Sequence, residues 1–206
     1  MIISKILQKH NEVQIYSDDE LLFTCTSNFV TDHRLFVGAE VANIENLQYE
    51  ATLSLLESKL LGYCSKQLVN RHKANMQLKK YAQKMDVKIN ENDIHAITDK
   101  FQSLYIINDE KYLKSKIEKY IALKKGANYI VQKLSQEGIN RAEILESINA
   151  INSEGQMESN LKSILEKKKS ILEKKYTGFD LRRRLINYGI SSGFTMEQIK
   201  GFINSN

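Results

Sequence analysis

The chain has 206 residues, 42% hydrophobic and 27% charged, with a formal net charge of +5; this is the composition of a folded protein with a substantial core, not of a disordered one. No apolar run approaches the ~18 residues a membrane span needs, and no signal-peptide pattern follows Met1. A cytosolic protein is therefore expected, without membrane partners, with Cys25 and Cys64 as two reduced thiols. Proline is absent and there are nine glycines, which suits long helices on short polar connections, because proline breaks helix interiors and punctuates loops.

The first 25 residues carry short apolar clusters: Ile2, Ile3, Ile6 and Leu7, then Val13, Ile15 and Tyr16, then Leu21, Leu22 and Phe23. His10-Asn11-Glu12 and Ser17-Asp18-Asp19-Glu20 separate them, and Val13-Gln14-Ile15 alternates as a half-buried strand does. The pattern predicts a small antiparallel hairpin or three-strand meander ending before about Thr26. A short helix is expected near Ser27–Leu35, stopped by Gly38. From about Asn46 the apolar period becomes that of helices. Leu53, Leu56, Leu60 and Leu61 form one stripe, Leu113, Ile117, Tyr120 and Ile121 (in line with Lys124) a second, and Leu161, Ile164, Leu165, Ile171 and Leu172 a third. All three are expected to face the core.

An internal repeat organises this helical part. "LKKYAQKMDV" at Leu78–Val87, "IVQKLSQEGI" at Ile130–Ile139 and "LINYGISSGF" at Leu185–Phe194 lie 52 and 55 residues apart. Each begins on an apolar residue, has Tyr or Lys at +3, and ends on apolar Val87, Ile139 or Phe194 at +9. Gly138 and Gly193 share the +8 position with Asp86. Each segment reads as a helix ending at +8, where glycine takes the left-handed conformation without steric cost and Asp tolerates it better than most. Asn140 to Glu143 and Thr195 to Gln198 then read as capping boxes opening a short helix, with Asn90 to Asp93 in that role in the first copy.

The predicted fold is mainly α, with tandem three-helix repeats in three units and a small N-terminal β-hairpin or meander extension. The boundaries are 1–45 for the strands and short helix, and 46–105, 106–152 and 153–206 for the repeats. A repeat of this size closes its own core poorly, so neighbours are expected to stack into an elongated, curved body.

Catalytic patterns are missing from the sequence. His10, His33, His72 and His95 fall apart from one another, with no H-E-x-x-H and no i,i+4 pair, and no phosphate loop, G-x-G-x-x-G or G-x-S-x-G occurs. Asp109 and Glu110 are placed to complement a helix N-terminus. No enzyme activity, cofactor or metal is expected.

Charge is the remaining signal. Residues 1–50 net −5 and the rest +10, a basic body that suits a polyanion or an acidic protein surface. Residues 109–133 hold Lys111, Lys114, Lys116, Lys119, Lys124, Lys125 and Lys133 against three acids. Residues 162–184 hold Lys162, Lys167, Lys168, Lys169, Lys174, Lys175, Arg182, Arg183 and Arg184, again against three. On a helical projection Lys111, Lys114 and Lys125 share one flank of the apolar stripe, and Lys116 and Lys119 lie on the far side with Tyr112 between them. Cations beside an aromatic can follow a phosphate backbone while the ring stacks on a base. Guanidinium forks recognise phosphate and carboxylate bidentately, so Arg182-Arg183-Arg184 is the sharpest element, with one of the three expected at the core edge as an ion-pair partner. For any single lysine the alternative is a solvated face that keeps the protein in solution.

With the repeats laid out, the chain resembles the RecX family, the small helical regulators of the bacterial RecA recombinase. The best part is "IINDEKYLKSKIEKYIALKKGANYIVQKLSQEGINRAEI" at Ile106–Ile144, with Asp109 before the first helix, a Lys125-Gly126 joint, Ile130 with Leu134, and a Gly138-Ile139 end. Gly193, Phe194 and Ile199 resemble the family's terminal element, and the N-terminal strands with the Gly38 joint are similar to the extension of Gram-positive members. Asp86 stands where the family has Gly, Gly189 where it has a large apolar residue, and Arg71, His72 and Lys73 make a thin basic start to the first middle helix.

The resemblance implies a non-catalytic, cytoplasmic regulator, an inhibitor, that lies along the RecA–single-stranded DNA filament and modulates ATP hydrolysis, strand exchange and SOS co-protease activity in DNA repair. Its partners would be the RecA filament and, directly, single- or double-stranded DNA, with the regulator a monomer. The binding candidates are the basic residues named above from Lys111 to Lys133 and from Lys167 to Arg184, together with Tyr112. Two other readings stand beside it: a sequence-tolerant DNA-binding helical protein acting without RecA, and a helical adaptor for peptides.

Overall fold

Alternation in the first strands becomes burial. In the computed structural model, which describes residues 1–152 and 155–204, β1 (Lys5–Lys9), β2 (Glu12–Ser17) and β3 (Glu20–Cys25) form an antiparallel meander in the order β1-β2-β3. Every second residue of β2 is buried, so Val13 and Ile15 turn inward beside Phe23 and Cys25 of β3. Asp18 and Asp19 both have positive φ, 46° and 68°, as a two-residue hairpin turn that matches strand twist requires.

Thr26 ends the sheet and caps α1 (Ser27–Asp32), its hydroxyl accepting the Phe29 N–H at 3.2 Å. Asn43 caps α2 (Ile44–Cys64) in the same way. This 21-residue helix is buried on more than one side. Ala51 joins the core of the sheet, with Ile15 and Phe29, while Leu56 and Leu60 join a second core with Leu78 and Ala82 of α3 (Arg71–Lys84) and Ile94, Ile97 and Phe101 of α4 (Glu91–Ser103). These elements make up one compact unit, Met1–Asn108.

The second unit, Asp109–Asn206, contains α5 (Asp109–Ala122), α6 (Ala127–Ser135), α7 (Arg141–Ile151), α8 (Gln156–Leu172), α9 (Gly178–Ser191) and α10 (Met196–Asn204). A single core runs through it, with Ile117, Ile130, Leu134, Ile144, Leu165 and Ile199 each fully buried. Buried Asn160 of α8 donates its amide to the Ile121 carbonyl at 2.7 Å, giving the end of α5 a partner that its own helix cannot supply. Ser153, where a third repeat was expected to begin, lies outside the described residues.

Asp86, Gly138 and Gly193 all occupy the left-handed region, at φ 54°, 79° and 94°. The next residue's N–H reaches back in each case, Val87 to Ala82, Ile139 to Leu134 and Phe194 to Gly189, at 3.0–3.2 Å. This bond satisfies a carbonyl that the helix end leaves open. The Thr195–Gln198 capping box closes in both directions. Asn140 accepts instead from Ala142, one residue nearer than a capping box requires.

Three stripe residues do not face the core, Lys124 being exposed beyond the end of α5. Leu61 is 49% and Ile171 55% exposed. Leu61 sits about 100° around α2 from Leu60, and Ile171 lies in the last turn of α8, past the last fully buried position, Leu165. The strands stop at Cys25, as the change of apolar period predicts, and no helix among the described residues is long and apolar enough to cross a membrane.

Candidate nucleic-acid interface

The basic face of the second unit begins at a joint between helix ends. The Gly126 N–H donates to the Ser192 carbonyl at 2.8 Å and the Asn128 N–H to the Gly193 carbonyl at 3.0 Å. The open N–H groups at the start of α6 thus meet the open carbonyls at the end of α9, and the two dipole ends are of opposite sign. The joint sets Tyr129 in place. Lys125 Nζ lies 4.8 Å and Lys133 Nζ 5.8 Å from its ring centre, and the Tyr120 ring meets it edge-on at 5.6 Å. Burial first, then the negative charge of Glu137 and the neighbouring Tyr129, raise the Tyr120 pKa.

Tyr112 corrects the sequence expectation. It is 1% exposed, and its hydroxyl donates to Glu137 Oε2 at 2.7 Å. Its ring is covered although it lies off the Leu113–Ile117 stripe, with Lys116 Nζ 5.1 Å from the ring centre. It offers no open face to a base. Lys125 is corrected as well. Helix α5 stops at Ala122 and Lys124 turns left-handed at φ 57°, so Lys125 leaves the flank of Lys111 and Lys114 and joins Tyr129.

Helices α8 and α9 repeat the pairing of cation and ring. Lys168 Nζ lies 5.1 Å from the Tyr188 ring centre, and the Arg184 guanidinium 3.8 Å from that of Tyr176. Arg182, Arg183 and Arg184 are all exposed and fan out to different partners. Arg182 donates to Asn204 at 2.8 Å, and Arg183 pairs with Asp180 at 3.2 Å. That ion pair lies on the solvent side, with both side chains 59% exposed, rather than at the core edge. Lys111, Lys114, Lys119, Lys167, Lys174 and Lys175 are exposed. Exposed Lys124 donates to Ser163 at 2.6 Å, and half-buried Lys169 lines an apolar cavity of about 290 Å³ with Leu181, Leu185 and Phe202.

The two units differ in charge, −1 for residues 1–108 and +6 for 109–206. The structure enlarges one basic element that the sequence reading named only by its thin start, Arg71, His72 and Lys73. Helix α3 carries Arg71, Lys73, Lys79, Lys80 and Lys84 and no acidic residue; a fourteen-residue window without Asp or Glu was the available signal. Arg71 ties α3 to α4 through Asp99 at 2.6 Å and Gln102 at 3.1 Å. Among the described residues, no three His, Cys, Asp or Glu side chains come together to hold a metal ion.

No family model matches the chain. Three curated proteins named "Regulatory protein RecX" are similar to it: that of Clostridioides difficile is 27% identical, covering 98% of this chain and 94% of its own. That of Clostridium tetani is 26% identical over 98% and 93%, and that of Clostridium acetobutylicum 23% over 93% and 88%. Two solved structures share the fold. A crystal structure of regulatory protein RecX superposes with a TM-score of 0.72 at 20% identity, covering 98% of both chains. A second, of RecX from Lactobacillus salivarius, gives 0.64 at 22% over 75% of this chain and 96% of its own. The chain is thus similar, nearly end to end, to proteins named Regulatory protein RecX, and it shares its fold with solved RecX structures.

Proposed function

We propose that this protein regulates the RecA recombinase without catalysis, as an inhibitor that lies along the RecA–single-stranded DNA filament. On this reading it slows filament ATP hydrolysis, strand exchange and SOS co-protease activity, acts in the cytoplasm as a monomer, and divides its helices into three repeats. The near-full-length relation to proteins named Regulatory protein RecX carries the reading. The +6 charge of the second unit supports it, because Lys125, Lys133, Lys168 and Arg184 are held against tyrosine rings at the surface. A cation resting on a ring loses less side-chain entropy when it meets a phosphate or carboxylate.

The test is RecA ATPase activity on single-stranded DNA with the protein added below one copy per RecA. Inhibition by the unmodified protein, relieved when Arg182, Arg183 and Arg184 are changed to Glu, is the expected result. ATPase activity that the unmodified protein leaves unchanged at every ratio would falsify the proposal.

A further inference from the structure

Helix α3 gathers positive charge in a unit whose other residues together are acidic. Its fourteen residues include five Lys or Arg and no acid, while residues 1–108 together net −1. Charge that served only to keep this unit in solution would have no reason to collect on one helix. Ala74, Leu78 and Ala82 face the core. Lys73, Met76, Gln77, Lys80 and Gln83 therefore run along the other side in steps of three and four.

Tyr63, in the last turn of α2, stands beside this stripe. Tyr63, Lys73, Met76, Gln77, Lys80 and Gln83 line a shallow concavity of about 500 Å³. Met76, amid the lysines, is 58% exposed, an apolar group on a cationic face. Lysines can follow phosphates, a ring and a thioether can cover the face of a base, and two amides can meet its edge. We propose that this concavity on α3 is a contact site for single-stranded nucleic acid, with phosphates along Lys73 and Lys80 and one base against Tyr63 and Met76. From Lys73 to Lys84 the helix rises about 16 Å, enough to follow a short stretch of strand. Lys79 pairs with Glu91 at 2.6 Å, but both side chains are well exposed, and such pairs exchange readily for a phosphate. An acidic protein surface would satisfy the lysines and leave the ring, the thioether and the amides unmatched, so a strand is the better partner. The site is on α3 of the first unit, whereas the arginines of the proposed function are on α9 of the second, and it goes beyond that reading.

The test titrates a short fluorescein-labelled oligothymidylate with the full chain at two salt concentrations, following anisotropy, with circular dichroism melting as the fold control. Lys73→Gln with Lys80→Gln should weaken binding about tenfold at low salt and reduce the slope of log K against log salt by about 0.7 per lysine. Tyr63→Leu, which keeps an apolar side chain against the core, should weaken binding about fivefold or more with the slope unchanged. Met76→Glu, at an exposed position, should also weaken it if the lysine variant fails to fold. Binding by the variants that matches the unmodified protein in affinity and slope overturns the inference, as does an unmodified protein that binds no oligothymidylate at low salt. The arginine variant separates the two readings. If it loses its action on RecA while the α3 variants bind oligothymidylate normally, the α3 site fails and the filament reading stands. The converse results sustain the α3 site and sink the filament reading.

Discussion

Gly126 and Gly193 touch backbone to backbone. A Cβ on Gly126 would sit 2.3 Å from the Gly193 carbonyl oxygen, and one on Gly193 would sit 2.4 Å from Tyr129 Cβ. Two short sequence elements more than sixty residues apart, Lys125-Gly126 and Gly193-Phe194, are thus halves of one joint. Alanine at either position forces the helix ends apart and breaks the Gly126–Ser192 and Asn128–Gly193 hydrogen bonds. Each substitution should cost about 3 kcal/mol, from overpacking together with lost bonds. The double variant should cost clearly less than the sum, since both act on one contact. Urea unfolding of the three variants measures this, and additive costs would show that the joint is not shared.

Asp86 and Gly138 hold the same left-handed helix-end position with different residues. Asp86→Gly should stabilise by about 0.5 kcal/mol through relief of the strained backbone, whereas Gly138→Val should destabilise by about 1 kcal/mol or more. Melting temperatures that move in the same direction for the two variants would contradict this account.

Tyr112 is a core residue with one polar end. Tyr112→Phe keeps the ring packed and removes the hydroxyl that binds Glu137, so it should cost about 1 kcal/mol. Inhibition of RecA should be unchanged per folded molecule. A variant of normal stability but reduced inhibition would return Tyr112 to the interface.

Burial raises the Cys25 thiol to about 11 from an ordinary 9.0, and the residue is 0% exposed. The folded state keeps this proton to higher pH than the unfolded state does. The stability tied to the neutral thiol is therefore complete below pH 9 and is lost as pH rises through about 11. Between pH 9 and 10 the loss should be about 1 kcal/mol. Cys25→Ala should lack this component, so urea midpoints of the two proteins should converge as pH rises, and parallel curves would disprove the assignment.

Changing Arg182, Arg183 and Arg184 to Glu should leave melting nearly unchanged. All three are exposed, and the Arg183–Asp180 pair is of the surface type worth less than about 1 kcal/mol. The same variant should lose inhibition of RecA, with the salt dependence of filament binding flattened by about one unit of slope per phosphate contact removed. A folded variant that inhibits normally would make these arginines a solubilising surface.

Local chemistry was the legible part of this sequence. The alternation of Val13 and Ile15 announced a strand, the spacing of Leu113, Ile117 and Ile121 announced a buried helix face, and Asp86, Gly138 and Gly193 marked helix ends, because each signal depends on a residue and its near neighbours. The candidate site was legible only as a supply of charge. Counting lysines near an aromatic could not tell that Tyr112 is buried, since its partner Glu137 comes from elsewhere in the chain, nor that Lys125 joins Tyr129, since helix projection fails where α5 ends and Lys124 turns left-handed.

What the sequence determined by itself was the period of each element, the places where helices stop, and the basic character of residues 109–206. Only the tertiary structure decided which separated segments meet. Gly126 finds Gly193 because two helix ends supply each other's missing hydrogen-bond partners. Ile199 fills the space that Gly189 leaves, its Cδ1 lying only 2.6 Å from where a Cβ would stand. Met76 stays exposed beside lysines because Ala74, Leu78 and Ala82 already take the core side of α3. Burial depends on what packs against a residue, and that neighbour comes from elsewhere in the chain.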